Sequence, residues 1–137
     1  MLACSDAREV RNFELAIVPG LLQTEEYARA VASTAWPDDP GEVDRRVEAS
    51  TRPNVMLQVL PFSEGHHPGT TGSFSILDFD EDVHSPVAYV ISPAGDVYLE
   101  RPEDMNRVTL TYTHLHAAAL SPGKSRDLIA AIAKDLA

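Results

Sequence analysis

The residues best placed to do chemistry in this sequence are its histidines, a run of carboxylates and two tyrosines. His66 and His67 stand side by side in Glu64-Gly65-His66-His67-Pro68-Gly69. Imidazole titrates near neutrality, so such a pair could hold a metal or exchange protons. Adjacent residues on a loop point in different directions, however, and a pair of this kind usually serves no site. Asp78, Asp80, Glu81 and Asp82 end a β-rich run, and residues 78 and 80 share a face from which two carboxylates could meet a divalent cation. Calcium-loop spacing and a third anchored ligand are both missing. A solvated strand end that discourages edge pairing is the better reading, and no metal is expected.

His114 and His116 lie on a helix predicted after Pro102. A turn of about 100° per residue puts His116 at the border of the apolar stripe and His114 almost opposite it, beside Leu110. One metal cannot use both. His116 could reach a pocket against a sheet, while Leu110 and His114 could form a partner-contact patch. Tyr89 and Tyr98 fall on neighbouring strands of a predicted hairpin, where with Glu100 they could offer phenol donors and a carboxylate to a ligand. If the chain is an acid–base catalyst, the groups to nominate are His116, Tyr89, Tyr98, Glu100 and Asp78. Nucleophile elbow, phosphate loop, dinucleotide fingerprint and Ser-His-Asp signature are all lacking, and no cofactor is implied. Cys4 is the single cysteine, which rules out an internal disulfide and a multi-cysteine zinc site.

The elements that must position these residues form an α+β pattern. Thr24 before Glu25 and Glu26 starts a helix through Tyr27 and Val31 that ends near Trp36-Pro37. Glu42 to Ala49 reads as a short exposed helix, stopping before Arg52-Pro53. Four β-rich runs follow, Val55 to Leu60, Ser73 to Phe79, Val87 to Ile91 and Val97 to Leu99, which predicts a four-stranded antiparallel meander. Ser92-Pro93-Ala94-Gly95-Asp96 has the composition of a tight hairpin connection. After Pro102, Met105, Val108, Tyr112, Leu115 and Ala119 make one apolar stripe that should lie on the sheet. Ser121-Pro122 starts a last helix, with Leu128, Ile129, Ile132 and Leu136 as its expected buried face. The reading is one domain over residues 1–137, with N-terminal and C-terminal helices packed on a central sheet.

Composition narrows the function classes. Asp plus Glu outnumber Lys plus Arg by 21 to 11, and a net charge of −10 repels a phosphate backbone, so direct nucleic-acid binding is disfavoured. Arg45-Arg46 is set among acids and reads as a solvated helix face. Neither a membrane span nor a signal peptide is visible, which predicts a cytoplasmic protein without membrane contact.

Pro19-Gly20-Leu21-Leu22-Gln23-Thr24 leading into Tyr27-Ala28-Arg29, then Arg52-Pro53-Asn54-Val55 through Gln58-Val59-Leu60-Pro61-Phe62, and at the end Tyr98-Leu99-Glu100 and Ala117 to Pro122, form a set of blocks along nearly the whole chain. On these blocks the sequence resembles the C-terminal, non-DNA-binding domain of actinobacterial antitoxin-like helix-turn-helix regulators of the XRE type. It departs from them in three ways. The helix-turn-helix is absent before the first block, a family segment of several tens of residues is missing between Glu48 and Ala49, and Ile91, His114 and His116 replace an acid and two arginines usual in relatives. The resemblance implies a regulatory module that binds a small-molecule ligand or a companion regulatory protein, with a homodimer as a further possibility, and that does not bind DNA. The alternative is a small pocket enzyme, a cyclase, isomerase or dehydratase, recruited to specialised-metabolite biosynthesis.

Overall fold

Two five-residue runs, Glu9–Phe13 and Phe74–Asp78, pair antiparallel with Arg11 opposite Ile76 and Phe13 opposite Phe74. They are β1 and β2 of the computed structural model, which describes residues 6–16, 18, 24–35, 37–41, 44 and 55–136. β3 (Val87–Ser92) and β4 (Gly95–Leu99) complete a four-stranded sheet of order β1-β2-β3-β4, antiparallel throughout. A two-residue turn joins β3 to β4, and Gly95 closes it at φ +123°, a conformation that strains any side chain.

The fold class is the α+β arrangement expected, but its first strand is not the predicted one. Residues 55–61 belong to no strand and do not join the sheet. The Val59 backbone is satisfied elsewhere: its N–H donates to Ser125 Oγ at 2.9 Å and its carbonyl accepts the Leu120 N–H at 2.9 Å, while the Gln58 side chain donates through Nε2 to the Leu120 carbonyl at 2.9 Å. β-propensity favours extended backbone without choosing its partner. β1 takes the vacant place at the sheet edge.

The chain divides into two compact units, Met1–Ala16 with Leu57–Ala137, and Ile17–Met56. In the second, α1 (Glu25–Ala35) starts as expected, with Thr24 Oγ1 accepting the Tyr27 N–H at 3.2 Å. The helix predicted at Glu42 to Ala49 falls, apart from Asp44, outside the described residues, as do Cys4, Trp36 and the Pro19 to Gln23 turn.

In the first unit, α2 (Pro102–Ala118) begins with proline in its first turn and two acids behind it, and lies along the sheet face that carries Arg11, Ile76 and Ala88. Ile76, Ala88 and Leu115 are almost entirely buried. Gly69, in a 3-10 turn at Pro68–Thr71, is wedged beneath α2: a Cβ there would come within 3.1 Å of Leu115 Cδ2 and closer still to the Phe13 ring. α3 (Pro122–Leu136) is capped by Ser121, whose Oγ accepts the Lys124 N–H at 3.3 Å, and is anchored by the fully buried Ser125. The expected buried face of α3 is corrected. Ile129 and Ile132 are 42% and 50% exposed and Leu128 is half-buried, while the Leu136 side chain lies outside the described residues.

Candidate functional site

Strand alternation sends Arg11 of β1 and Asp78 of β2 to the same face, where the register makes them diagonal neighbours. Arg11 Nε and Nη2 both donate to Asp78 Oδ2, at 3.0 and 2.7 Å. The guanidinium also lies 5.7 Å from the centre of the Tyr112 ring on α2, within cation–π range. Burial pushes the Tyr112 phenol up; the Arg11 charge opposes that rise and Glu9 adds to it. The two charges are 24% and 16% exposed, so the pair is partly screened.

Beside this pair an open surface groove of about 400 Å³ lies between the sheet and α2. Arg11 and Asp78 line it from the sheet, Met105, Asn106, Thr109, Leu110 and Thr113 line it from α2, and Pro86 adds a further contact. The hollow offers a guanidinium, a carboxylate and neutral polar groups against an apolar strip. A smaller hollow of about 190 Å³ opens on the other side of α2, among Phe74, Val90, Val108 and Thr111.

A family described as "Domain of unknown function (DUF5753)" matches the chain over residues 4–52 and 47–131. The chain belongs to this family. The two matched stretches of the DUF5753 domain overlap at residues 47–52. No curated protein and no solved structure matches the chain.

The DUF5753 domain places the nominated acid–base groups apart. Asp78 lines the groove from the sheet, tied to Arg11. Tyr89 and Tyr98 are directly paired across β3 and β4, ring centres 5.1 Å apart, on the sheet face away from α2, and Glu100 is exposed just beyond β4. The sheet separates these groups from Asp78. His116 is exposed, lines neither of these two hollows, and stacks on Tyr112 with ring centres 6.2 Å apart. Tyr112 fills the stripe, and His116, one turn later, emerges near the helix end.

Leu110 and His114 are both exposed one turn apart, as the helical phase predicts, but Leu110 also forms part of the groove wall. His66 is exposed, while His67 turns inward, in edge-to-face contact with Phe13 and with its Nδ1 buried and without a hydrogen-bond partner among the described residues. Asp80, Glu81 and Asp82 are exposed at the turn after β2. Among the described residues no group of three or more His, Cys, Asp or Glu side chains could hold a metal, and no helix is long and apolar enough to cross a membrane.

Sequence reasoning missed Arg11, Asn106, Thr109 and Thr113 as groove residues. Their one signal was the repeat Asn106, Leu110, Thr113 at helical spacing along the edge of the apolar stripe.

Proposed function

We propose that this DUF5753 domain is a non-enzymatic binding module of the regulatory kind its sequence resembles, which takes a small amphipathic molecule in the groove under α2 and does not itself bind DNA. The observation that carries this reading is the Arg11–Asp78 pair lining the groove. An ion pair beside a hollow of this size offers donor and acceptor together, so the ligand it suits is neutral or zwitterionic. Met105, Leu110 and Pro86 supply the apolar contacts for its body, and Asn106, Thr109 and Thr113 further polar ones.

Binding is favoured over turnover because the candidate acid–base groups do not converge. Asp78 lies on one face of the sheet, Tyr89 and Tyr98 lie on the other, and His116 lines neither hollow. The net charge of −10 supports the absence of direct DNA contact, since it removes the counterion-release contribution to duplex binding.

The test is native mass spectrometry of the protein isolated from its own cells, comparing the natural chain with Asn106→Trp. Asn106 is exposed on the groove wall, so the indole fills the hollow without entering the core. The natural chain should retain a small molecule that the variant loses. Equal retention by both proteins would remove the groove from the account.

A further inference from the structure

The sheet order leaves β4 at an edge, and among the described residues nothing pairs with its outer side. The register shows which backbone groups face outward. Ser92 and Gly95 close a two-residue hairpin and must be a hydrogen-bonded pair; bonded and non-bonded pairs then alternate along the ladder. Gly95, Val97 and Leu99 therefore direct their N–H and C=O groups toward β3, whereas those of Asp96 and Tyr98 point away from the sheet.

Edges are usually blunted by charged side chains, above all lysine, by proline, by a bulge or by a covering element, and the one such device on β4 is the carboxylate of Asp96, which repels acidic strands and not basic ones. Gly95-Asp96-Val97-Tyr98-Leu99 has no proline, no lysine and no break in its register. Its first four residues are exposed, Val97 at 47% and Tyr98 at 58%. The side chains at outward-facing positions also have a pattern. Asp96 and Tyr98 share the sheet face away from α2, and Glu100 stands two residues further along, so an aromatic ring is flanked by two carboxylates at strand spacing.

We propose that the free edge of β4 binds an extended, basic segment of a partner protein by strand addition. Main-chain hydrogen bonds to Asp96 and Tyr98 hold the segment, and its alternate side chains set the specificity. Lysine or arginine falls opposite Asp96 and Glu100, an apolar or aromatic residue falls opposite Tyr98, and the intervening positions pack toward Val97. The net charge of −10 favours the approach of a basic chain.

A second copy of this chain fits less well. The antiparallel register centred on Tyr98 sets Asp96 against Glu100 of the other copy, and like charges directly opposite are destabilising. The register centred on Val97 still gathers the acids of both copies on one face, and each copy carries a charge of −10.

The experiment is an amide NMR titration of the full chain with an end-capped peptide, Lys-Val-Tyr-Val-Lys flanked by threonines. Strand addition predicts that the Asp96 and Tyr98 amides shift strongly and gain protection from hydrogen exchange, with Val97 and Leu99 changing less. N-methylating the peptide at alternate positions should abolish binding in one phase and leave it intact in the other. Asp96→Lys and Glu100→Lys should each weaken binding about fivefold, the upper end for one cross-strand charge pair.

Asp96 and Glu100 are both exposed, and thermal melts of the two variants would check that they fold. Three results would overturn the proposal: no response at Asp96 and Tyr98, equal binding of both N-methylated peptides, or sedimentation showing that β4 is already occupied by a second copy.

Discussion

Arg11 and Asp78 stand 67 residues apart in the chain and meet through two hydrogen bonds to one carboxylate oxygen, beneath the Tyr112 ring. Removing either partner leaves the other charge half-shielded and unpaired. Arg11→Ala or Asp78→Ala should therefore cost about 1–3 kcal/mol, below the 3–5 kcal/mol of a fully buried pair. Urea denaturation of both single variants and the double variant would measure it. Single losses under about 0.5 kcal/mol would place the pair with ordinary surface ion pairs.

Gly69 is required by packing. Gly69→Ala pushes a methyl group into Phe13 and toward Leu115, and should destabilise by about 1–3 kcal/mol. Gly123 in α3 is the contrast, because a Cβ there meets nothing within 4 Å. Gly123→Ala should be neutral or stabilise by up to about 1 kcal/mol. The melting temperature should fall for Gly69→Ala and hold or rise for Gly123→Ala, and an unchanged melt for Gly69→Ala would show that the wedge beneath α2 is misplaced.

The sequence stripes on α2 and α3 look alike, yet the structure treats them differently. Leu115 is 4% exposed and Ile132 is 50% exposed. Leu115→Ala should cost about 2–5 kcal/mol, whereas Ile132→Ala should stay within about 0.5 kcal/mol, the level of a surface site. Equal losses in denaturant unfolding would mean that α3 buries its apolar face after all.

That contrast marks how far the sequence could be read. Periodicity identifies Met105, Val108, Tyr112 and Leu115 as one face because helix geometry is local, but whether a face finds a partner depends on residues distant in the chain. Strands β2, β3 and β4 were legible from β-branched and aromatic runs bounded by Gly and Pro. β1 was not, because Arg11 and Asn12 interrupt its two apolar residues, Val10 and Phe13. The site follows the same division. Asp78 was visible as a carboxylate at a strand end, while Arg11 could be assigned to it only through the β1–β2 register.

The Tyr112 phenol gives a pH signature. Burial raises its pKa in the folded chain, with Arg11 partly opposing, so the folded state keeps a proton that the unfolded state releases. Above about pH 10, the ordinary phenol value, the unfolded chain binds fewer protons and stability falls as pH rises. Below that value both states are protonated and this contribution is constant. Tyr112→Phe should flatten the alkaline decline in urea midpoints, and an unchanged decline would show that Tyr112 titrates alike in both states.

The central claim is that small amphipathic molecules bind in the groove beneath α2. An amide NMR screen of the full chain with neutral and zwitterionic amphipathic compounds tests it most directly. Shifts should concentrate on Asn106, Thr109, Leu110, Thr113 and the Arg11 side-chain N–H, and should be lost in Asn106→Trp. Shifts centred instead on Tyr89 and Tyr98, or a screen in which none of the groove amides responds, would contradict it.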